Sequence, residues 1–429
     1  MSALELTYIF PDGGFTLVLP IFGGTASSID WGDGSPPTTD DTRTHTYSSA
    51  GTYYVSILGT NITHFNYFFE SGATGKQYLT ECTSFGEIGL TDLYFSFYNT
   101  QLLTTVPSSL PTLSTITNMQ GLFQSSSPNI DYSNITGWDV SGVQNMQALF
   151  YGSTMNVDIS GWNVSSVTNM SFMFAENTVF NQPLNGWGSN TSNVTVMDNM
   201  FSGAASFNQP IGNWVVSSLQ TSRNMFANAT NFNQDISNWQ VFNLTNASAM
   251  FVNATAFNNG GAPGTSSNPL SWGTSTGNLQ NVSSIFTSAS NFNQDISDWD
   301  VSNVTNVRTM FSFTSSFNQN LNNWNLTSLS DATLMFYGAI AYDNGGVTLD
   351  WTGKIPLLNN MDGMFTSATS FNQIILLDTS NVTNMGGLFY SAQQFNQDIS
   401  GWDFSSVTIV NSMFAYSLYN HDVSNWNIT

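Results

Sequence analysis

The stretch Asn291–Phe311, NFNQDISDWDVSNVTNVRTMF, is the clearest copy of a pattern that recurs from about residue 100 onward. The Phe closing each copy stands at Phe123, Phe150, Phe174, Phe201, Phe226, Phe251, Phe286, Phe311, Phe336, Phe365, Phe389 and Phe414. Successive markers lie 24 to 29 residues apart, except for one step of 35 between Phe251 and Phe286. A Trp keeps the same phase, at Trp138, Trp162, Trp187, Trp214, Trp239, Trp272, Trp299, Trp324, Trp351, Trp402 and Trp426, with Leu377 in its place once. Two registers with one period exclude chance, and a period near 25 residues marks stacked units that cannot bury their apolar faces singly.

Within a copy, Phe292, Ile296 and Trp299 suit a strand, while Val304, Val307, Met310 and Phe311, spaced by three and four, suit a short helical turn. Stacked about 4.8 Å apart, neighbours would superpose Phe on Phe and Trp on Trp. The ladder residues expected to carry the stack are Trp299 and Trp324, Phe311 and Phe336, and Asn293 and Asn318. The Asn of FNQ, at Asn181, Asn208, Asn233, Asn293, Asn318, Asn372 and Asn396, would form a buried polar ladder satisfied by its neighbours. Residues after the Trp rarely place carboxylates opposite one another: Asp139 is followed by Asn163, Asp300 by Asn325 and Asp403 by Asn427. The 35-residue step contains GGAPGTSSNP, Gly260–Pro269, which reads as a loop extruded from one coil.

The first sixty residues differ. LELTYIF from Leu4 and FTLVLPIF from Phe15 are strands separated by Pro11-Asp12-Gly13-Gly14. Trp31-Gly32-Asp33-Gly34 makes a tight turn, and His45-Thr46-Tyr47 with Gly51-Thr52-Tyr53 leads into a last strand. These motifs resemble the polycystic-kidney-disease (PKD) type of immunoglobulin-like domain over roughly residues 4 to 60. The expected organisation is a mainly β chain: a PKD-like β-sandwich at 1–62, degenerate capping coils at 63–110 with Phe85 and Phe97 in the Trp and closing places, and a leucine-rich-repeat-like solenoid at 111–429, about 12–13 coils in all.

The repeat resembles the leucine-rich-like unit of BspA-type bacterial surface proteins, whose FNQDISxWDVSxVTNMxxMF signature also appears in mycoplasma surface proteins. The resemblance implies a non-enzymatic extracellular, cell-surface or virion-surface protein that presents a face for adhesion to protein or glycan partners.

Composition points the same way. The chain has 5 Lys+Arg against 27 Asp+Glu, a net charge of −22, which repels nucleic acid. No stretch is apolar enough for a membrane span, and Met1–Phe10 lacks the basic start and long apolar run of a signal peptide. The lone Cys82 supports no disulfide framework and reads as a small core residue. His45, His64 and His421 fall in no metal or nucleophile spacing, so neither a catalytic centre nor a cofactor is expected. Asp30, Asp33, Asp40 and Asp41 have the oxygen chemistry of calcium ligands, but Asp is also the ordinary residue of tight turns. The repeated Asp of QDIS (Asp235, Asp295, Asp398) and WDVS (Asp139, Asp300, Asp403) likewise reads as turns in solvent before it reads as acidic stripes for cations or sugars. The alternative function is a structural subunit of an extracellular filament, surface layer or virus or phage particle, self-assembling through a C-terminal coil that begins at Asn411 and stops partway.

Overall fold

The computed structural model describes residues 2–39, 43–68, 72–113 and 115–428. Two compact units divide the chain, Met1–Val194 and Thr195–Thr429.

In the first unit, β1 (Leu4–Phe10) turns Leu4, Leu6, Tyr8 and Phe10 inward at alternate positions, all at most 2% exposed. β2 (Phe15–Val18), β3 (Ile21–Phe22), β4 (Thr25–Asp30), β5 (Thr44–Tyr47), β6 (Gly51–Thr60), β7 (His64–Phe65) and β8 (Leu79–Phe85) follow. An antiparallel sheet in the order β4-β6-β1-β8 forms the body, with β2 paired to β5 and β3 to β7. Trp31 is fully buried, its Nε1 donates to Thr38 Oγ1 at 2.8 Å, and the Tyr47 hydroxyl donates to its carbonyl at 3.0 Å. Gly32 is required beside it: φ is +73°, and a Cβ would fall 2.4 Å from the Tyr54 carbonyl oxygen.

The strand β8 comes from the segment read as capping coil. It pairs with β1 through Leu4↔Phe85, Leu6↔Cys82 and Tyr8↔Leu79, and its Glu81 also makes a parallel bridge to Thr105. The boundary drawn at residue 62 therefore falls inside one sheet. Leu79, Cys82 and Phe85 complete the core that β1 opens.

From there the chain coils, and neighbouring copies are joined by single parallel bridges. In the first unit the series runs His64, Asp92, Asn118, Asn145, Asn169. In the second it runs Val196, Thr221, Asn246, Asn281, Asn306, Asp331, Asn360, Asn384, Ile409. The parallel pairing expected at Phe292–Trp299 thus sits at Asn306, in the TNV segment. Among the described residues the Trp side of the repeats forms strands once, where β9 (Leu349–Asp350) pairs in parallel with β10 (Ile375–Leu376).

No α-helix occupies Val304–Phe311. Thr309 and Phe313 sit in the left-handed region, at φ 53° and 55°, so the backbone cannot continue an α-helix and turns in steps of three. Met310, Ser312 and Thr314 donate to the carbonyls of Val307, Thr309 and Phe311 within the coil. The alternate groups Thr309, Phe311 and Phe313 donate to Thr333, Met335 and Tyr337 of the next, at 2.7–3.1 Å. Three- and four-residue spacings of apolar side chains arise from this ribbon of turns as readily as from a helix.

The same conformation recurs two residues before each closing Phe. It is held by Phe95, Gly121, Ala148 and Phe172 in the first unit, and in the second by Asn199, Asn224, Ala249, Ser284, Thr309, Leu334, Gly363, Gly387 and Ser412. A non-glycine residue there costs about 1–2 kcal/mol, which hydrogen bonds to the next coil offset at Phe95, Ala148, Asn199, Asn224, Ala249, Ser284, Thr309 and Leu334.

Candidate functional site

The closing Phe rings stack with centroids 5.4–5.8 Å apart from Phe201 to Phe414 in the second unit, and 5.6–5.8 Å apart from Phe97 to Phe174 in the first. Phe311 and Phe336 are 5.4 Å apart and 6° from parallel. A second column runs beside the first. Phe207, Phe232, Phe257, Phe292, Phe317, Tyr342, Phe371, Phe395 and Tyr419 stack at 5.8–6.1 Å. In the second unit each coil also pairs its own two rings, as Phe311 does with Phe317 at 4.0 Å. Rings there therefore meet aromatic faces both within their coil and along the stack.

The Trp column does more than pack. Each indole Nε1 donates to a carbonyl of the preceding coil: Trp299 to Leu270 at 2.8 Å, Trp324 to Ile296 at 3.0 Å and Trp351 to Leu321 at 3.1 Å. Trp162 and Trp187 do the same in the first unit, to Ile135 and Ile159. In these coils the acceptor is the Ile or Leu of the DISxW segment, whereas Trp138 donates to Pro107, so the Ile-x-x-Trp spacing is the signal that sequence reading left unused. Trp426 departs from the rule, its buried Nε1 finding no acceptor among the described residues.

The Asn of FNQ also forms a ladder, but at the surface. Asn293 and Asn318 are half-buried. Asn293 Oδ1 accepts from the backbone N–H of Asn318 at 2.8 Å and from Gln319 Nε2 at 2.7 Å. Asn318 Oδ1 accepts in turn from Asp343 N and Gly345 N, and the Asp343 carboxylate from Asn372 N. The side chain holds the next backbone rather than the next side chain, so Asp343 can replace Asn within the column. An additional column, at the bridge residues, accepts locally: Asn306 Oδ1 takes the N–H of Arg308, and Asp331 that of Thr333.

The repeated carboxylates are turn acceptors. Asp139, Asp235, Asp295, Asp300, Asp398 and Asp403 each accept the backbone N–H of the Ser two residues on. These bonds hold Asp139, Asp398 and Asp403 below the usual carboxylate range. Carboxylates do meet after the Trp place: Asp378 and Asp403 stand there in consecutive coils and repel one another, while turn bonds to Ser380 keep Asp378 ionised. Asp198 is a different case. Its buried carboxylate accepts from Thr221 Oγ1, from Arg223 N and Nε, and lies 2.6 Å from Arg223 Nη2.

Of the calcium candidates, Asp30 accepts from Gly32 N, and Asp33 accepts from Ser35 and meets His45 Nε2 at 2.7 Å. Hydrogen bonds from Ser35, with His45 adding to them, bring Asp33 to about 2. Asp40 and Asp41 lie outside the described residues. Among the described residues no three His, Cys, Asp or Glu side chains converge as a metal would require, and no helix is long and apolar enough to cross a membrane. Cys82 is buried, which pushes its thiol well above the usual range.

The inserted segment after Phe257 is anchored at its base. Asn258 Nδ2 donates to Thr265 O, Asn259 Nδ2 to Asn268 O and Pro269 O, and Gln294 Nε2 to Thr265 O. Asn258, Asn259 and Gln294 are themselves fully buried. Ala262, Pro263, Ser266 and Ser267 are left exposed at its tip.

Five segments of the chain, residues 91–190, 117–214, 188–263, 265–354 and 350–429, match the family described as Mycoplasma protein of unknown function, DUF285. No curated protein and no solved structure matches the chain. The matches take in the Trp, Phe and Asn columns of both units and more than three quarters of the sequence, and the chain belongs to this DUF285 repeat family.

Proposed function

We propose that the chain is a non-enzymatic surface protein, a leucine-rich-repeat-like solenoid behind a PKD-like sandwich, whose exposed coil faces bind a protein or glycan partner. The observation that carries this reading is the division of labour within a coil. The recurring aromatic residues are buried in ladders, and the recurring Asn and Asp at the surface are engaged in backbone hydrogen bonds, whereas other exposed positions change. Two residues after the closing Phe the second unit carries Gly203, Asn228, Asn253, Ser288, Phe313, Gly338, Ser367, Ser391 and Tyr416 in one backbone conformation. Among these, Phe313 is 50% exposed and Tyr416 76%. A fixed scaffold with side chains that vary at one register is how an array encodes recognition, and large exposed apolar groups cost solubility unless a partner uses them.

The reading is tested by the mass of the purified chain in a light-scattering concentration series, followed by binding to immobilised matrix proteins and glycans. A monomer that binds a defined ligand supports it. Concentration-dependent polymers that bind none would move the assignment to a structural subunit.

A further inference from the structure

In a repeat stack, the coil that breaks the pattern is the place to look for recognition. The copy from Phe371 to Phe389 breaks it at the surface. Where Asn291–Phe311 has FNQDIS, this copy has FNQIIL, so Ile374 and Leu376 stand where Asp295 and Ser297 flank the buried Ile296. Ile375 takes the inward place and is 4% exposed, whereas Ile374 and Leu376 are 47% and 45% exposed. They gain no burial from the substitution, and the fold does not need them to be apolar, since neighbouring coils use polar residues.

The geometry around them is also altered. Leu377 replaces the Trp, and the chain pairs as β10 with β9, Ile375 opposite Leu349 and Leu376 opposite Asp350. The Trp402 indole, which should close over this coil, reaches Ile375 O only at 3.4 Å. A shallow hollow opens between the coils, lined by Ile374, Leu376 and Leu377 on one side and Asp398, Ile399 and Trp402 on the other.

Its rim is acidic. Asp350 lies opposite Leu376, Asp398 shares the hollow, and Asp378 and Asp403 are neighbours just beyond it, where Thr379 bonds the Asp403 backbone. Lys354, bonded to the Asn322 carbonyl, acts on Asp350, and His421 acts on Asp398, so the carboxylates still outnumber the cations around the hollow. An apolar floor inside a carboxylate rim selects its occupant by charge as well as by burial. A second copy of this chain is a poor fit, because it brings the same −22 charge and 5 Lys+Arg.

We infer that the Ile374–Leu376 hollow is a docking site for a peptide segment of a partner protein that interleaves apolar side chains with Lys or Arg. The inference rests on the surface-recognition reading above and names the partner class for one coil of it. The apolar side chains would cover Ile374, Leu376 and the edge of Trp402, and the cations would pair with Asp350, Asp378, Asp398 and Asp403.

The test uses the full chain and three synthetic peptides: alternating Lys-Leu, alternating Lys-Ser and alternating Glu-Leu. Binding is followed by calorimetry in about 0.15 M salt, where long-range attraction to the acidic chain is largely screened. The Lys-Leu peptide is expected to bind, and the other two to bind at least about tenfold more weakly. Ile374→Ser with Leu376→Ser, which leaves the net charge unchanged, is expected to weaken Lys-Leu binding about tenfold or more. Asp378→Asn with Asp398→Asn should weaken it separately and flatten its salt dependence. Thermal melts matching the parent establish that both variants are folded.

Equal binding of Lys-Leu by the parent and by the double Ser variant would overturn the site, as would equal binding of Lys-Leu and Lys-Ser. A dimer that the double Ser variant abolishes would also overturn it, by making the hollow a self-interface. If the peptide result fails while the chain still binds a matrix protein or glycan, this site is wrong and the broader function stands.

Discussion

The indole N–H of Trp324 donates to the carbonyl oxygen of Ile296 at 3.0 Å, and Ile296 belongs to the preceding coil. The ring that fills one coil therefore also caps a backbone group of its neighbour, with both residues fully buried. Replacing Trp324 by Phe keeps much of the apolar volume and leaves that carbonyl with the Trp299 N–H as its remaining donor. A loss of about 0.5–1.5 kcal/mol is expected for the one hydrogen bond removed, and about 3–5 kcal/mol for Trp324→Ala, which adds a cavity. Urea denaturation of the two variants against the parent measures both.

Ala249 has a φ of 56° and Ala247, two residues earlier, is fully buried in ordinary backbone. Ala249→Gly relieves the left-handed strain and should stabilise the chain by about 0.5–1 kcal/mol after the added freedom of the unfolded state. Ala247→Gly has no strain to relieve and should destabilise. Opposite shifts in the melting temperature are the expected outcome; shifts of the same sign would show that the turn conformation is not a source of strain.

Asn318 Oδ1 accepts from both Asp343 N and Gly345 N. Asn318→Ala removes the acceptor from two half-exposed or exposed amides that water then serves, so the cost is about 1 kcal/mol rather than that of a buried orphan. Asn325→Ala, at an exposed position, should stay within about 0.5 kcal/mol of the parent. Hydrogen exchange at the Gly345 amide should quicken only in the first variant.

Two carboxylates titrate with opposite signs. Asp33 is lowered to about 2 by Ser35 and His45, so its stabilising contribution is full above the unfolded value near 4 and is lost as pH falls through about 2. Asp298 is raised, by burial first and then by Asp295. It opposes folding at neutral pH and ceases to do so once pH falls below its unfolded value. Asp298→Asn should therefore raise the melting temperature at pH 7 and leave it unchanged near pH 3. Asp33→Asn should lower it at pH 7, with the difference shrinking toward pH 2. Paired thermal melts across that range check both signs.

The sequence by itself determined the period, the phase of Phe and Trp, and the use of Asp and Asn at bends, because a stack forces residues at one register into one environment. Phe311 must meet Phe336 once their coils are neighbours, and the letters alone say so. It also set residues 4 to 60, with Trp31 and Tyr47, apart from the repeats, since alternation in LELTYIF commits Leu4, Leu6, Tyr8 and Phe10 to one face. The local backbone was decided elsewhere. Thr309, Leu334 and Ala148 adopt a left-handed conformation that their side chains disfavour, and hydrogen bonds donated to the next coil hold them there. Propensity therefore pointed to a helix where the chain makes a ribbon of turns. The strand β8 escaped the boundary at residue 62 for a similar reason: its partner β1 lies some seventy residues earlier, and pairing at that distance leaves no local mark. The hollow at Ile374 and Leu376 needed both kinds of information. Their apolar character is written in FNQIIL, but whether they face the core or solvent depends on which residue of the three points inward, and the pairing of β10 with β9 settles that by turning Ile375 in.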